Sequence, residues 1–501
     1  MKKCYIILFF LACLVQCKAQ NWEMAKNLPY GAENYGSSIG TDSLGNMYVS
    51  GRSFYYTGGS GSYNYFILWK FDPTGNLVWT DTLPMGNPKS VCEPDGDVYV
   101  AGGNKLAKYN SSGNQLWLIT TPPPLLYNDI ALHPGGGFVA VGKTYGDSSL
   151  SVLSKYDENG ICEWTKVGEF SPGGISVKCD IAGNSYITGD APADPDTGNM
   201  GFLAKYNSAG TLIYDKSMPH FPNEIAVDSA RNVYLAGWIS TPYPTTILGT
   251  TYSVSYPNQM QFILKCDSLG NILWYKIISG ELSPTGTLDA DPMGHVYFMN
   301  TYTALSMDSL SLSVPYTYSS NLFIVCLDSV GNISWYRSSD ASLSSSYATA
   351  HRIYVSNSYD LYLTGSMKGT QEFGPYTLTS LSMYSDVLNG KIGLESAVTT
   401  GINETTTSQT MTVGYNDFIV FPNPSSGTVM IQAFNLAKGN FTIRVRDVLG
   451  KILCAEDITI ISDSFQKQLN IGELKKGVYS IELIPVNKSN AEKRVGKLVV
   501  E

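Results

Sequence analysis

The sequence predicts an all-β chain: a seven-bladed β-propeller followed by a small β-sandwich. Three observations predict it. A strand–turn–strand stretch, FILKCDSLGNILW at 262–274, recurs along most of the chain, with near-copies ending at Trp79, Trp117, Trp164, Tyr214 and Trp335. A second series precedes these hairpins, from DSLGNMYVSG at 42–51 to NSYDLYLTG at 357–365. After residue 394 both series stop, and a Thr-rich stretch leads into a different set of short strands. Self-similarity at a regular interval is the mark of a repeat architecture.

Each hairpin is explained by its turn. In Asp72 to Asn76 and Asp267 to Asn271 the pattern is Asp-x-x-Gly-Asn. Asp suits the first position because its carboxylate accepts backbone N–H bonds. Gly suits the fourth, where a left-handed backbone makes the bulge that matches strand twist. Alternating apolar and polar residues precede the turn, and an aromatic follows the Gly at constant offset. One face of such a hairpin is apolar and stays exposed until a neighbouring copy covers it.

Turn–strand followed by strand–turn–strand makes about four strands per unit, the content of one propeller blade. The first series has seven members, and the last unit trails off as SDVLNGKI at 385–392. Trp22 stands ahead of the first unit and is the expected outer strand of the last, which would close the ring and leave no open sheet edge. The blade aromatics are therefore Trp22, Trp79, Trp117, Trp164, Tyr214, Trp274 and Trp335.

Length and composition agree. The chain has 501 residues, too many for one ordinary domain, with only 15% charged residues, 48 Gly and 34 Tyr. Net charge is −9 with no basic block, which argues against nucleic acid as a partner. Residues 1–19 read as a signal peptide: Lys2 and Lys3, an apolar run from Tyr5 to Val15, and cleavage after Ala19. The alternative is lipoprotein processing at Cys17. No later apolar run reaches the ~18 residues of a spanning helix, so no transmembrane segment is expected. Cleavage leaves Cys92, Cys162, Cys179, Cys266, Cys326 and Cys454. Their places in or beside strand repeats favour buried free thiols over disulfides.

The expected domains are the signal peptide (1–19), the propeller (20–394), a Thr-rich linker (395–413) and the tail (414–501). The tail has a Pro-Asn-Pro turn between two strands, a hairpin about Asp447 and Gly450, and two further strands. It resembles the type A sorting domain of the type IX secretion system of Bacteroidetes, on Phe421, Pro422, Asn423, Pro424 and Gly427, then Asp447 and Gly450, then Gly477 and Tyr479. The resemblance implies an Ig-like sandwich, recognition by the type IX secretion machinery, and a secreted or outer-surface destination. The repeats resemble Bacteroidetes β-propeller repeats of the form DxxGNxYVTG…KYDxxGNxxW, a family that implies a fold more than an activity.

Chemistry is sparse. The four His include His133 and His295, which sit where other repeat turns have Asp, Gly or Asn and read as turn substitutions. No zinc, nucleophile-elbow or phosphate-loop motif is found. No catalytic or cofactor residue is assigned. Calcium is the one ion the sequence leaves open, at Asp194 and Asp196, whose alternation offers oxygen ligands. The expected function is non-catalytic binding or adhesion, with glycans or host and surface proteins as partners. A polysaccharide hydrolase or lyase and a structural surface-layer component are the alternatives. Two carboxylates within about 10 Å of a His or Arg at the channel would favour the enzyme. A ring of Tyr, Ser and Thr would favour binding.

Overall fold

The fold is seen in a computed structural model. It describes residues 21–394 and 418–500 apart from 29–32, 58–60, 123–124, 146–149, 169–172, 192–200, 240–244, 253–258, 357–359, 381–384, 422–427, 434–437, 448–450, 461–464 and 487–493, and positions 219, 249, 285, 317, 342 and 473. Two compact units divide at residue 394.

The first unit is a seven-bladed β-propeller. Blade 1 is built from strands 33–41, 47–57, 61–71 and 77–83, and blade 2 from 89–92, 98–102, 105–109 and 115–120. Blade 3 uses 125–132, 138–144, 151–156 and 162–167, and blade 4 uses 173–179, 185–190, 201–206 and 212–218. Blade 5 is 221–227, 233–239, 259–266 and 272–282, and blade 6 is 287–290, 296–307, 321–327 and 333–338. Blade 7 takes 347–355, 360–368 and 386–393 from the end of the unit and its outer strand, Trp22–Leu28, from the beginning. Trp22 is 5% exposed and sits edge-on to Phe373, ring centroids 5.2 Å apart.

One turn chemistry closes the lower rim, where strand 1 meets strand 2 and strand 3 meets strand 4. The fourth residue's N–H donates to the first residue's carbonyl in turns starting at Asp42, Asp72, Asn110, Asp157, Asp180, Asn207, Asp267 and Asp328. In the turns at Asp42, Asp180, Asp228 and Asp291 the carboxylate also holds the following strand. Asp180 accepts Asn184 N and Nδ2 and the Tyr186 hydroxyl, at 2.9, 2.7 and 3.0 Å. Here the His readings find a physical basis. His295 Nδ1 lies 2.8 Å from Asp291, doing the work of Asn184. His133 replaces the Asp: its Nδ1 accepts Gly135 N–H at 3.1 Å, so Nε2 carries the proton and faces the Gly183 carbonyl at 3.2 Å.

The repeated Lys and Trp join blades to one another. Lys70 Nζ and Trp79 Nε1 of blade 1 both donate to the Ser111 carbonyl in a blade 2 turn, at 2.9 and 3.1 Å. Lys265 and Trp274 of blade 5 do the same to Ser329 of blade 6, at 3.0 and 3.2 Å. Trp117 reaches Glu158 of blade 3 at 3.2 Å. At the closure, Lys26 of the N-terminal strand donates to Asn76 of blade 1 at 2.5 Å.

Three details differ from the sequence reading. The stretch 301–321 adds sheet beyond the four strands of a unit: strand 296–307 runs on, turns at Asp308, and pairs with 310–313. The extension also pairs with strand 272–282, joining blades 5 and 6 in one sheet. The cysteines are unbridged among the described residues, but only Cys92, Cys266 and Cys326 are buried: Cys179 is half-buried, and Cys162 and Cys454 are exposed on outer strands.

The second unit is a β-sandwich. A three-stranded sheet of 418–421, 428–433 and 465–470 is matched with a four-stranded sheet ordered 452–460, 439–447, 477–485, 494–500. Val429, Ile431, Phe441, Ile443, Ile481 and Leu498 are buried between them, the alternation expected of half-covered strands.

Candidate functional site

The innermost strand of each blade lines the central channel. Most of them carry a bulge at one level. The pairing register shifts between Gly36 and Ser38, Tyr127 and Asp129, Gly174 and Ser176, Pro222 and Glu224, and Ala350 and Arg352. A bulge re-aims the side chains beside it. Here it turns polar residues into the axis, where blades that taper toward one another leave room for them.

Arg352 of blade 7 crosses the channel. Its Nη1 donates to both carboxylate oxygens of Glu224 in blade 5, at 2.7 and 2.8 Å. Its Nη2 lies 3.7 Å from Asp129 in blade 3. Asp129 also accepts Ser176 Oγ and Val177 N–H, at 2.9 and 3.1 Å. Nearer the lower rim, Lys178 of blade 4 pairs with Asp289 of blade 6 at 3.0 Å, and Asp289 accepts Val355 N–H at 3.0 Å. The ring is thus cross-braced by ion pairs, and two of their carboxylates, Asp129 and Asp289, are also held by hydrogen bonds from other groups, the condition under which buried charge is tolerated.

A cavity of about 310 Å³ opens beside Arg352, lined also by Lys89, Asn128, Ile175 and Asn223. Lys89 Nζ donates to the Ser37 carbonyl at 3.1 Å. Burial, and then the Arg352 charge, pull the Lys89 pKa down, with Glu224 and Asp129 opposing. Burial raises the Glu224 carboxyl, against the pull of Arg352. His351 is lowered to about 4 by burial, and further by the charges of Lys89 and Arg52. Arg52 itself lies over the Tyr35 and Phe54 rings, 5.0 and 4.7 Å from their centroids.

By the criterion set from the sequence, Glu224 and Asp129 beside Arg352 favour an enzyme. The hydrogen bonding qualifies it physically. Both Glu224 oxygens are engaged by one guanidinium, and one Asp129 oxygen receives a hydroxyl and an amide. None of these channel residues was singled out from the sequence. The available signal was the pair of polar residues at matching places in the inner strands: Asn128-Asp129, Asn223-Glu224 and His351-Arg352.

The residues that were singled out lie elsewhere. Trp79, Trp117, Trp164, Tyr214 and Trp274 each pack on the turn glycine of the next blade: Gly113, Gly160, Gly210, Gly270 and Gly331. Trp335 packs on the core shared by blades 6 and 7. Asp194 and Asp196 lie outside the described residues, as do Pro422, Asn423, Pro424, Gly427 and Gly450. Phe421 pairs with Met430. Asp447 Oδ1 accepts Lys451 N–H at 2.9 Å. Gly477 pairs with Val500, and the Tyr479 hydroxyl donates to the Lys475 carbonyl at 2.5 Å. Glu93, Asp95 and Asp97 bring carboxylates within 4.8 Å of one another, but Lys108 pairs with Glu93 and Asp97 at 3.2 and 3.0 Å.

Fold and channel together define the class: an all-β propeller with a polar, cross-braced axis and a separate C-terminal sandwich. Residues 419–501 match the model of the Secretion system C-terminal sorting domain. The tail is therefore a type IX sorting domain, and the protein is exported to the medium or the outer cell surface. Among the described residues no helix is long and apolar enough to cross a membrane. No curated protein matches the sequence. Solved structures similar to the chain include the Pan2 WD40 domain of Neurospora crassa, at 11% identity, covering 74% of this chain and 94% of that one, TM-score 0.42. A protein of unknown function from Bacteroides caccae is 13% identical over 50% of this chain and 83% of that one, TM-score 0.33. The gluconolactonase XC5397 of Xanthomonas campestris is 13% identical over 60% and 82%, TM-score 0.32.

Proposed function

We propose that the protein is a non-catalytic binding or adhesion protein that meets its ligand, a glycan or a surface protein, on the upper rim of the propeller. The observation that carries this reading is the difference between the two rims. The lower rim repeats one short turn from blade to blade. The upper rim, where strand 2 meets strand 3, varies from Gly103-Asn104 in blade 2 to the 240–258 stretch in blade 5. Scaffolds of constant geometry that present variable loops on one side are built for recognition. The same rim bears Trp238, 36% exposed and stacked on Phe221 with ring centroids 4.6 Å apart. An indole held flat in this way offers an apolar face to a sugar ring or a side chain.

The test is a glycan array, with the mature full-length chain, with and without calcium. Saturable binding that Trp238→Ala weakens by about tenfold or more is expected. A blank array together with no capture of purified surface proteins removes the reading. The second reading, a polysaccharide hydrolase or lyase, is favoured by Arg352 with its two carboxylates. It requires new reducing ends from a polysaccharide panel, lost in Glu224→Gln.

A further inference from the structure

The channel cavity contains polar groups that the ion-pair network leaves unused. Lys89 carries three N–H donors, and the Ser37 carbonyl takes one. Asn223 Oδ1 is buried with no hydrogen-bond partner. A buried acceptor left without a donor is costly, so such an atom marks a place where a partner belongs. Charge decides what kind of partner. Lys89 and Arg352 face Asp129 and Glu224, two positive groups against two negative, so the site is balanced as it stands. A charged ligand would leave one buried charge uncompensated. A hydroxyl both donates and accepts, and so serves Asn223 and Lys89 alike. Ile175 supplies an apolar wall for C–H groups, and about 310 Å³ is at the small end for ligand pockets, room for a single ring.

We propose that this cavity binds one neutral, hydroxyl-rich ring, the terminal sugar of a glycan, with hydroxyls meeting Asn223 Oδ1 and Lys89 Nζ. The inference rests on the binding reading above and gives it a seat and a ligand class. The cavity lies at the level of the inner-strand bulges, inside a rim whose loops would hold the rest of the glycan.

The experiment is calorimetric titration of the mature full-length chain with methyl glucoside, galactoside, mannoside and N-acetylglucosaminide, and with glucuronate and galacturonate. At least one neutral glycoside should bind. Its affinity should fall about tenfold or more in Asn223→Leu and in Ile175→Phe, which fills the cavity, with the melting temperature of both variants unchanged. Lys89→Met should weaken it in the same direction. Absence of binding by any neutral glycoside overturns the proposal, as does tighter binding of a uronate, or unaltered affinity in Ile175→Phe. If array binding survives in Ile175→Phe at full strength, the rim holds the ligand alone: the cavity assignment falls and the binding function stands. If the array is blank for the wild type, the binding function itself falls.

Discussion

Trp79 Nε1 donates to the Ser111 carbonyl at 3.1 Å, from the outer strand of one blade to a turn of the next, while its ring lies against Gly113. A side chain repeated along the sequence thus makes its bond outside its own repeat. The blades are held by a lattice of such bonds as well as by the apolar faces between them.

Gly113 has φ +86, and a Cβ there would meet Trp79 at 3.0 Å. Gly113→Ala combines left-handed strain with a crowded indole and should cost about 1–3 kcal/mol. Trp79→Phe keeps an aromatic face and loses the bond to Ser111, at a cost of about 1 kcal/mol. Urea unfolding midpoints of the full chain measure both.

Arg231 occupies the glycine position of its turn, at φ +65, and donates its backbone N–H to Asp228 as the glycines do. Arg231→Gly relieves the strain at the cost of some unfolded-state entropy. A net stabilisation of about 0.5–1 kcal/mol is expected, read as a higher melting temperature.

Arg352→Met should be among the most damaging single changes in the propeller. It strands Glu224 and Asp129 in the channel, a loss of about 3–5 kcal/mol. Adding Glu224→Gln should recover part of it, because the charge left without a partner is then gone. Recovery in a double-mutant cycle is the check.

Two histidines should pull pH dependence in opposite directions. His220 is buried, its Nε2 has no partner, and burial lowers its pKa to about 4. The unfolded chain takes up that proton near pH 6.5 and the native protein does not, so stability falls as pH drops from about 6.5 toward 4. His220→Asn, which tolerates the φ of +57, should lessen this fall and leave the part that His351, also lowered to about 4 by burial, contributes. His295 is raised by its hydrogen bond to Asp291. Its contribution is present below the unfolded pKa and is lost as pH rises through the folded one. His295→Asn restores the repeat residue and should remove that loss. Melting temperatures from pH 4.5 to 8.5 separate the two.

Removal of residues 414–501 should leave the chain in the periplasm, since this segment carries the match to the sorting domain. Fractionation followed by detection of the propeller checks it. Normal export of the truncated chain would contradict the assignment.

What the sequence determined by itself is the local part. Asp-x-x-Gly turns, alternating strands and a constant aromatic offset depend on neighbours a few residues apart, so they can be read along a line. That is why the blade repeat, the stand-in roles of His133 and His295, and the sorting tail were legible. The channel was not. Arg352, Glu224 and Asp129 are 128 or more positions from their partners across the ring, and become neighbours only when seven blades bring their inner strands to one axis. The bulges that aim these side chains inward are a register shift of single residues, invisible to a repeat that tolerates the insertion. Local backbone chemistry wrote the blade; the convergence of separate blades on a shared axis made the site.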